Sequence, residues 1–341
     1  MRPDELFELE NQRILVVATD AGAALFLAPV IVKIQICNTV KVVAGVYGSI
    51  TFSHHNIAHS VMNDETPQKS IADQLLSEGF DLALLGTNLG PGLEKLITIN
   101  ASEYGVKTMA VVDHYWHLWQ RFADLETRVL NHYLPDDIWV FEEWQRDNLI
   151  NKEVPSSNVH ILPHPLLESF GKKNHFSLKN DFCNKYGINS NLLLIVYSSE
   201  PPPSEKSFWG TEEVTIDEIN HVTKIIFDSV NKINKMNKKV HLIVKKHPIE
   251  SDQFMSDYWE KLNDSCTILK DYNPLKLMLA GDVFLGISSM FLLESNSLGK
   301  SSYFLRSRKN FKMENIGMFK DIPLIKSRSD MINIINRRLK I

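Results

Sequence analysis

The stretch ILVVATDAGAALFLAPVIVKIQI, residues 14–36, decides how the chain is read. Its first five residues are apolar and are followed at once by Thr19, Asp20 and Gly22, so 14–18 reads as a short strand. The small residues 21–24 let the backbone turn, and 23–36 reads as the helix that follows. Pro29 and Lys33 cut this apolar segment, which falls short of the ~18 apolar residues of a membrane-spanning helix. Strand, small-residue loop, helix is the unit of a parallel α/β sheet.

The same unit recurs along the chain. Candidate strands are 14–18, 40–46, 81–86, 108–113, 137–141 and 159–162, and then 192–198, 241–246, 266–270, 282–287 and 302–305. Helix-compatible segments separate them at 23–36, 68–78, 93–104, 144–151, 215–235, 274–280 and 291–298. The expected fold class is α/β, with two Rossmann-like doubly wound sheets facing across a cleft. An N-terminal domain spans 1–168, a polar linker holding one short helix 169–191, a C-terminal domain 192–325, and a final amphipathic helix 326–341, expected to pack on its domain. At 341 residues the chain is long enough for two cores. A balance of 37 basic and 41 acidic residues argues against a general nucleic-acid surface. The acidic N-terminal segment MRPDELFELE has no signal-peptide core, and Cys37, Cys183 and Cys266, odd in number and far apart, suit a reducing compartment.

Ligands of open parallel sheets sit beyond the carboxyl ends of the strands, so those loops carry the candidates. The first offers Thr19, Asp20 and Gly22 before a helix, with Asp20 either a base or the helix cap. The second, GTNLGPGLE, offers Thr87, Asn88 and Gly90. In the third, DHYWHLWQRF, Asp113 ends a strand as a candidate general base beside His114. There Trp116 and Trp119 either stack on a sugar or fill a core. The His54–His55–His59 cluster lacks a carboxylate or cysteine at ligand spacing and does not read as a metal site, and Asp136–Asp137, at a strand start, reads as a solvated turn. In the second half, Ser198, Ser199 and Glu200 with prolines 201–203 follow one strand. Lys245, Lys246, His247 and Pro248 follow the next, and Ser288, Ser289, Met290 and Glu294 open a helix. Hydroxyls, cations, an imidazole and a helix N-terminus suit a phosphate-bearing ligand. Glu294 either accepts from ribose hydroxyls or compensates the helix dipole.

The KKHP element followed by GISSMFLLE resembles the HP and SS motifs of GT-B glycosyltransferases that use CMP-activated acidic sugars, the bacterial sialyl-, polysialyl- and Kdo-type enzymes of capsule and lipooligosaccharide synthesis. It is also similar to the CDP-glycerol glycerophosphotransferases. The pattern GTNLGPGLE, VVDHYWHLWQRF, LPDDIWVF, ILPHP looks like the N-terminal domain of a wider GT-B group that includes UDP-sugar 2-epimerases. The resemblance implies that His247, Ser288 and Ser289 contact the donor nucleotide. The acidic motif that supplies the transferases' base has Asp20-Ala21-Gly22 as its nearest match, with alanine in the middle.

The expected activity is an inverting, metal-independent glycosyl transfer. Asp20 or Asp113 takes the acceptor proton, and His247, Lys245 or Lys246, the Ser288–Ser289 hydroxyls and the helix dipole behind them meet the charge on the leaving phosphate. No cofactor and no metal are expected. The partners are a nucleotide-sugar donor and a glycan or glycolipid acceptor, with Thr19, Gly22, Thr87, Asn88, Gly90, His114 and Trp116 on the acceptor side. The expected location is the cytoplasm, either free or peripheral on the inner membrane face in a polysaccharide-assembly complex. The alternatives are a UDP-sugar transferase, an epimerase or hydrolase of the same fold, a CDP-glycerol-type transferase, and a non-catalytic scaffold.

Overall fold

The recurring strand–helix unit builds two sheets, every paired strand of which runs parallel to its neighbours. The structure is a computed structural model and describes residues 1–62, 67–165, 178–201, 214–237, 239–270, 272–305 and 316–339. These divide into two compact units, 1–165 in the first and the rest, from 178 onward, in the second. Residues 169–177 of the expected linker, and Pro202 and Pro203, lie outside the described residues.

The first unit orders its seven strands β3-β2-β1-β4-β5-β6-β7. They are β1 (Arg13–Ala18), β2 (Thr39–Ala44), β3 (Ser60–Val61), β4 (Leu82–Leu85), β5 (Lys107–Val111), β6 (Asp137–Val140) and β7 (Val159–Ile161). Its helices are α1 (Pro3–Phe7), α2 (Ala21–Ile34), α3 (Val46–His54), α4 (Gln68–Ser77), α5 (Leu93–Asn100) and α6 (Glu143–Ile150). Strand β1 is central, pairing Ile14 with Val40 on one side and with Leu82 on the other. It is buried from Ile14 to Ala18, as a strand with helices on both faces must be. Pro29 lies inside α2 without ending it. One core gathers Leu15, Val17, Leu85, Ile97, Val112, Phe122 and Ile138.

The second unit orders six strands β10-β9-β8-β11-β12-β13. They are β8 (Leu193–Ser198), β9 (Val240–Lys245), β10 (Cys266–Leu269), β11 (Val283–Gly286), β12 (Ser301–Leu305) and β13 (Leu324–Ile325). Its helices are α7 (Lys179–Tyr186), α8 (Ile216–Asn237), α9 (Ser256–Trp259), α10 (Pro274–Ala280), α11 (Met290–Ser297) and α12 (Arg328–Leu339). The final amphipathic helix, α12, buries Met331 and Ile335 in the core of this unit with Ile195, Ile226 and Leu285.

In both sheets the strand order reverses beside the first strand, between β1 and β4 and between β8 and β11. Such a switch point opens a crevice at the carboxyl ends, because the chain leaves the two strands toward opposite faces. The Asp136–Asp137 pair is not the solvated turn its sequence indicates. Asp136 accepts from the Thr108 amide at 2.7 Å, and Asp137, buried at the start of β6, pairs with Lys107 at 2.8 Å and His160 at 2.7 Å. Among the described residues the three cysteines are unpaired, no helix is long and apolar enough to cross a membrane, and no three His, Cys, Asp or Glu side chains group as metal ligands.

Candidate functional site

At the switch point of the first unit, the loops after β1, β4 and β5 bring three carboxylates together. Asp20 is the residue at which α2 starts, with extended backbone, but its side chain makes no capping hydrogen bond. Its carboxyl reaches solvent yet sits among the loop walls. Partial loss of hydration, then the charges of Asp113 and Glu94, push its pKa up to about 6 against the pull of Arg121.

Asp113 is 8% exposed, and burial raises its pKa while Arg121 opposes. One Arg121 nitrogen lies 3.4 Å from Asp113 Oδ1 and donates to the Thr87 carbonyl at 2.8 Å and hydroxyl at 3.1 Å. The other carboxylate oxygen, Oδ2, rests against the first turn of α2, where a Cβ on Gly22 would collide with it. Gly22 is thus the residue that lets this carboxylate approach the helix start.

Glu94 lies in the first turn of α5 and is buried. Its Oε1 accepts from the Thr19 amide at 2.7 Å and hydroxyl at 2.6 Å, and its Oε2 accepts from Asn88 at 3.0 Å. Burial raises its pKa, and these hydrogen bonds pull it back. Thr19 and Asn88, expected on the acceptor side, are therefore engaged in holding Glu94, and Thr87, also expected there, holds Arg121. Gly90 faces open space. His114 accepts the Trp116 amide on Nδ1 at 3.0 Å, and the pair forms a tight turn directly after Asp113. Half-buried His117, in the left-handed region at φ 56°, has its pKa pushed down to about 4 by burial and Arg121.

In the second unit Ser198 ends β8 and donates to the Ser289 hydroxyl at 3.1 Å, while that hydroxyl caps α11 by accepting the Phe291 amide at 3.3 Å. Ser199 donates to Glu250, which also accepts the His247 amide at 2.9 Å. Burial pushes the Glu250 carboxyl up, and these two donors and the lysines oppose it. Pro248 shapes the turn that closes with the Glu250 amide donating to the His247 carbonyl at 2.9 Å. Glu200 Oε1 accepts from the Ser288 amide at 2.9 Å and hydroxyl at 3.1 Å.

The cations of KKHP behave differently from one another. Lys246 is 2% exposed and spends its ammonium on the Ser251 and Asp252 carbonyls and the Ser256 hydroxyl, at 2.9, 2.6 and 2.9 Å. It ties down the loop that follows. Lys245 lies 5.3 Å from the Phe291 ring centre, over the first turn of α11 that Met290 begins. Burial lowers its pKa, opposed by Glu294, Glu200 and Glu250. His247 is pushed down to about 4 by burial and Lys245, so near neutral pH it is an uncharged hydrogen-bonding group. Glu294 is buried on α11.

Four participants received no role in the sequence reading: Glu94, Arg121, His117 and Glu250. Arg121 is eight residues after Asp113 and Glu250 three after His247, spacings that the loops close. Glu94 stands in a first helical turn, where an acidic residue is commonplace because it offsets the helix dipole.

No family model matches the chain, and no curated protein sequence does either. Solved structures do. The UDP-GlcNAc 2-epimerase of Neisseria meningitidis, solved with UDP-GlcNAc, is 15% identical with a TM-score of 0.64, covering 96% of this chain and 91% of its own. That of Methanocaldococcus jannaschii is 13% identical with a TM-score of 0.66, covering 95% and 92%. The S. aureus protein MnaA, solved with UDP, is 13% identical with a TM-score of 0.67, covering 97% and 88%. At such identities the likeness carries architecture, and the architecture is the GT-B fold of two Rossmann-like α/β units.

Proposed function

We propose that the chain is an enzyme acting on a nucleotide-activated sugar, with proton transfer at a sugar carbon as its chemistry. The observation that carries this reading is the pairing of Asp20, with a pKa near 6, and the buried Asp113 at one switch point. Two carboxyls of unlike environment suit one group that takes a proton and another that returns it. The fold neighbours described as UDP-GlcNAc 2-epimerases support the same class.

In this reaction one carboxylate removes the C2 proton while the C1–oxygen bond breaks and its electron pair leaves with the nucleotide. Re-addition of the nucleotide oxygen to C1 is matched by a proton delivered to the other face of C2. Within the second unit, Lys245, the His247 imidazole and the hydroxyls of Ser288 and Ser289 are groups suited to the negative charge of a phosphate. Neutral His247 donates or accepts a hydrogen bond there.

A second reading is glycosyl transfer to a glycan or glycolipid, with a CMP- or UDP-linked sugar as donor. It is favoured by the solvent access of Asp20 alone: Asp113 is held by Arg121, and transfer needs a single base. Incubation with UDP-GlcNAc and with a CMP-linked acidic sugar in D2O, followed by NMR, separates the two. Deuterium at C2 of UDP-GlcNAc without acceptor supports proton transfer. Nucleotide release that requires an added acceptor supports transfer, and inertness toward every donor removes both. Asp20→Asn is expected to slow either reaction by about 10²–10⁴-fold.

A further inference from the structure

The anion cradle of the second unit already contains an anion. Glu200 leaves the end of β8 and places Oε1 on the Ser288 amide and hydroxyl, at 2.9 and 3.1 Å. Those donors stand one residue ahead of Ser289, which caps α11. A backbone N–H and a hydroxyl at the start of a helix are the groups that receive a phosphoryl oxygen.

The charge count around this turn is unusual for a phosphate site. Lys245 lies over the first turn of α11, and three carboxylates act on it: Glu294, Glu200 and Glu250. Lys246 has its ammonium turned onto Ser251, Asp252 and Ser256, and His247 is uncharged near neutral pH. Glu250 has donors of its own in Ser199 and the His247 amide. Glu200 rests on donors that a ligand's phosphate needs.

Resting on the nucleotide reading above, we propose that Glu200 is a placeholder anion, holding the Ser288 donors near Lys245 until a ligand's phosphate displaces it. Displacement of this one carboxylate frees two donors, the Ser288 amide and hydroxyl, for the phosphate. Anion affinity is then set by an exchange of one negative group for another, and an uncharged residue at 200 strengthens binding.

The test is calorimetric titration of the full chain with UDP and with inorganic pyrophosphate, for wild type, E200Q and S288A. Glutamine keeps the acceptor oxygen but drops the charge, so E200Q is expected to bind both anions about tenfold more tightly. S288A is expected to bind them more weakly. Should E200Q fail to fold, E200A, which also removes the charge, is read in the same way. If wild type binds UDP and E200Q binds it equally or less well, the placeholder role is overturned while the nucleotide reading stands. If pyrophosphate binding tightens in E200Q but UDP binds to neither protein, the placeholder stands and the nucleotide reading falls. Folded proteins that bind neither anion overturn both.

Discussion

A carboxyl with a pKa near 6 turns the loop after β1 into a source of pH dependence. As a base Asp20 must be ionised, so the rate is expected to rise through pH 6, which a pH–rate profile measures. Part of that elevation comes from the Asp113 charge. In D113N, carbon-13 NMR of the Asp20 carboxyl should show its titration moving down toward the ordinary carboxylate range, and an unmoved midpoint would mean the two charges are not coupled. Gly22 gives a second test. G22A drives a methyl into Asp113 Oδ2 and is expected to cost about 1–3 kcal/mol, although alanine alone favours a helix. Combined with Asp113→Ala, the penalty should largely vanish in thermal denaturation, as it must for residues sharing one contact. Asp20 and Asp113 were legible in the sequence because strand ends can be read locally. Glu94 and Arg121 were not, because their partners Thr19 and Thr87 lie 75 and 34 residues away.

Elements long enough to show a pattern were read well. The central strands of both sheets, α2, α10 and α11 lie where apolar runs and small-residue loops put them. Strands β3 and β13 were missed because two residues carry no alternation, and such edges are defined only by the neighbour they pair with. Helix α3 was missed because VYGSITFSH is rich in β-branched and aromatic residues, and packing against α2 overrides that preference. The KKHP loop shows the limit of motif reading: adjacent lysines have separate tasks because successive residues leave a strand end in opposite directions. Lys246→Met removes a buried ammonium from three acceptors, of which the Ser256 hydroxyl is buried. It is expected to lower stability by about 2–4 kcal/mol in urea denaturation. The corresponding loss for Lys245→Met should instead fall on anion affinity, and equal effects of the two substitutions would contradict this division.

Across the molecule, His117, His164 and His247 each have a pKa pushed down to about 4 by burial. His164, 4% exposed against Phe26 and Phe141, is the most enclosed of them. The unfolded chain protonates these rings near pH 6.5 and the folded chain only near 4, so stability is lost as pH falls through that window. Asp20, Glu94, Asp113 and Glu250, whose carboxyl pKa values are raised by burial, act in the opposite sense and offset part of this loss. For His164 alone the loss is on the order of 3 kcal/mol by pH 4. His164→Leu is expected to flatten the acid side of the melting-temperature profile of the first unit. The order β3-β2-β1-β4 carries a different consequence, one that belongs to synthesis. Arg13, opening β1, is tied to Asp81, just before β4, across 68 residues of chain. A ribosome adding ~5–20 residues per second leaves one flank of an almost wholly aliphatic strand unpaired for several seconds after it emerges. Nascent chains of this protein therefore pass through an interval of exposed strand edge, during which holdase chaperones and translation speed govern how much of the product reaches the soluble fraction.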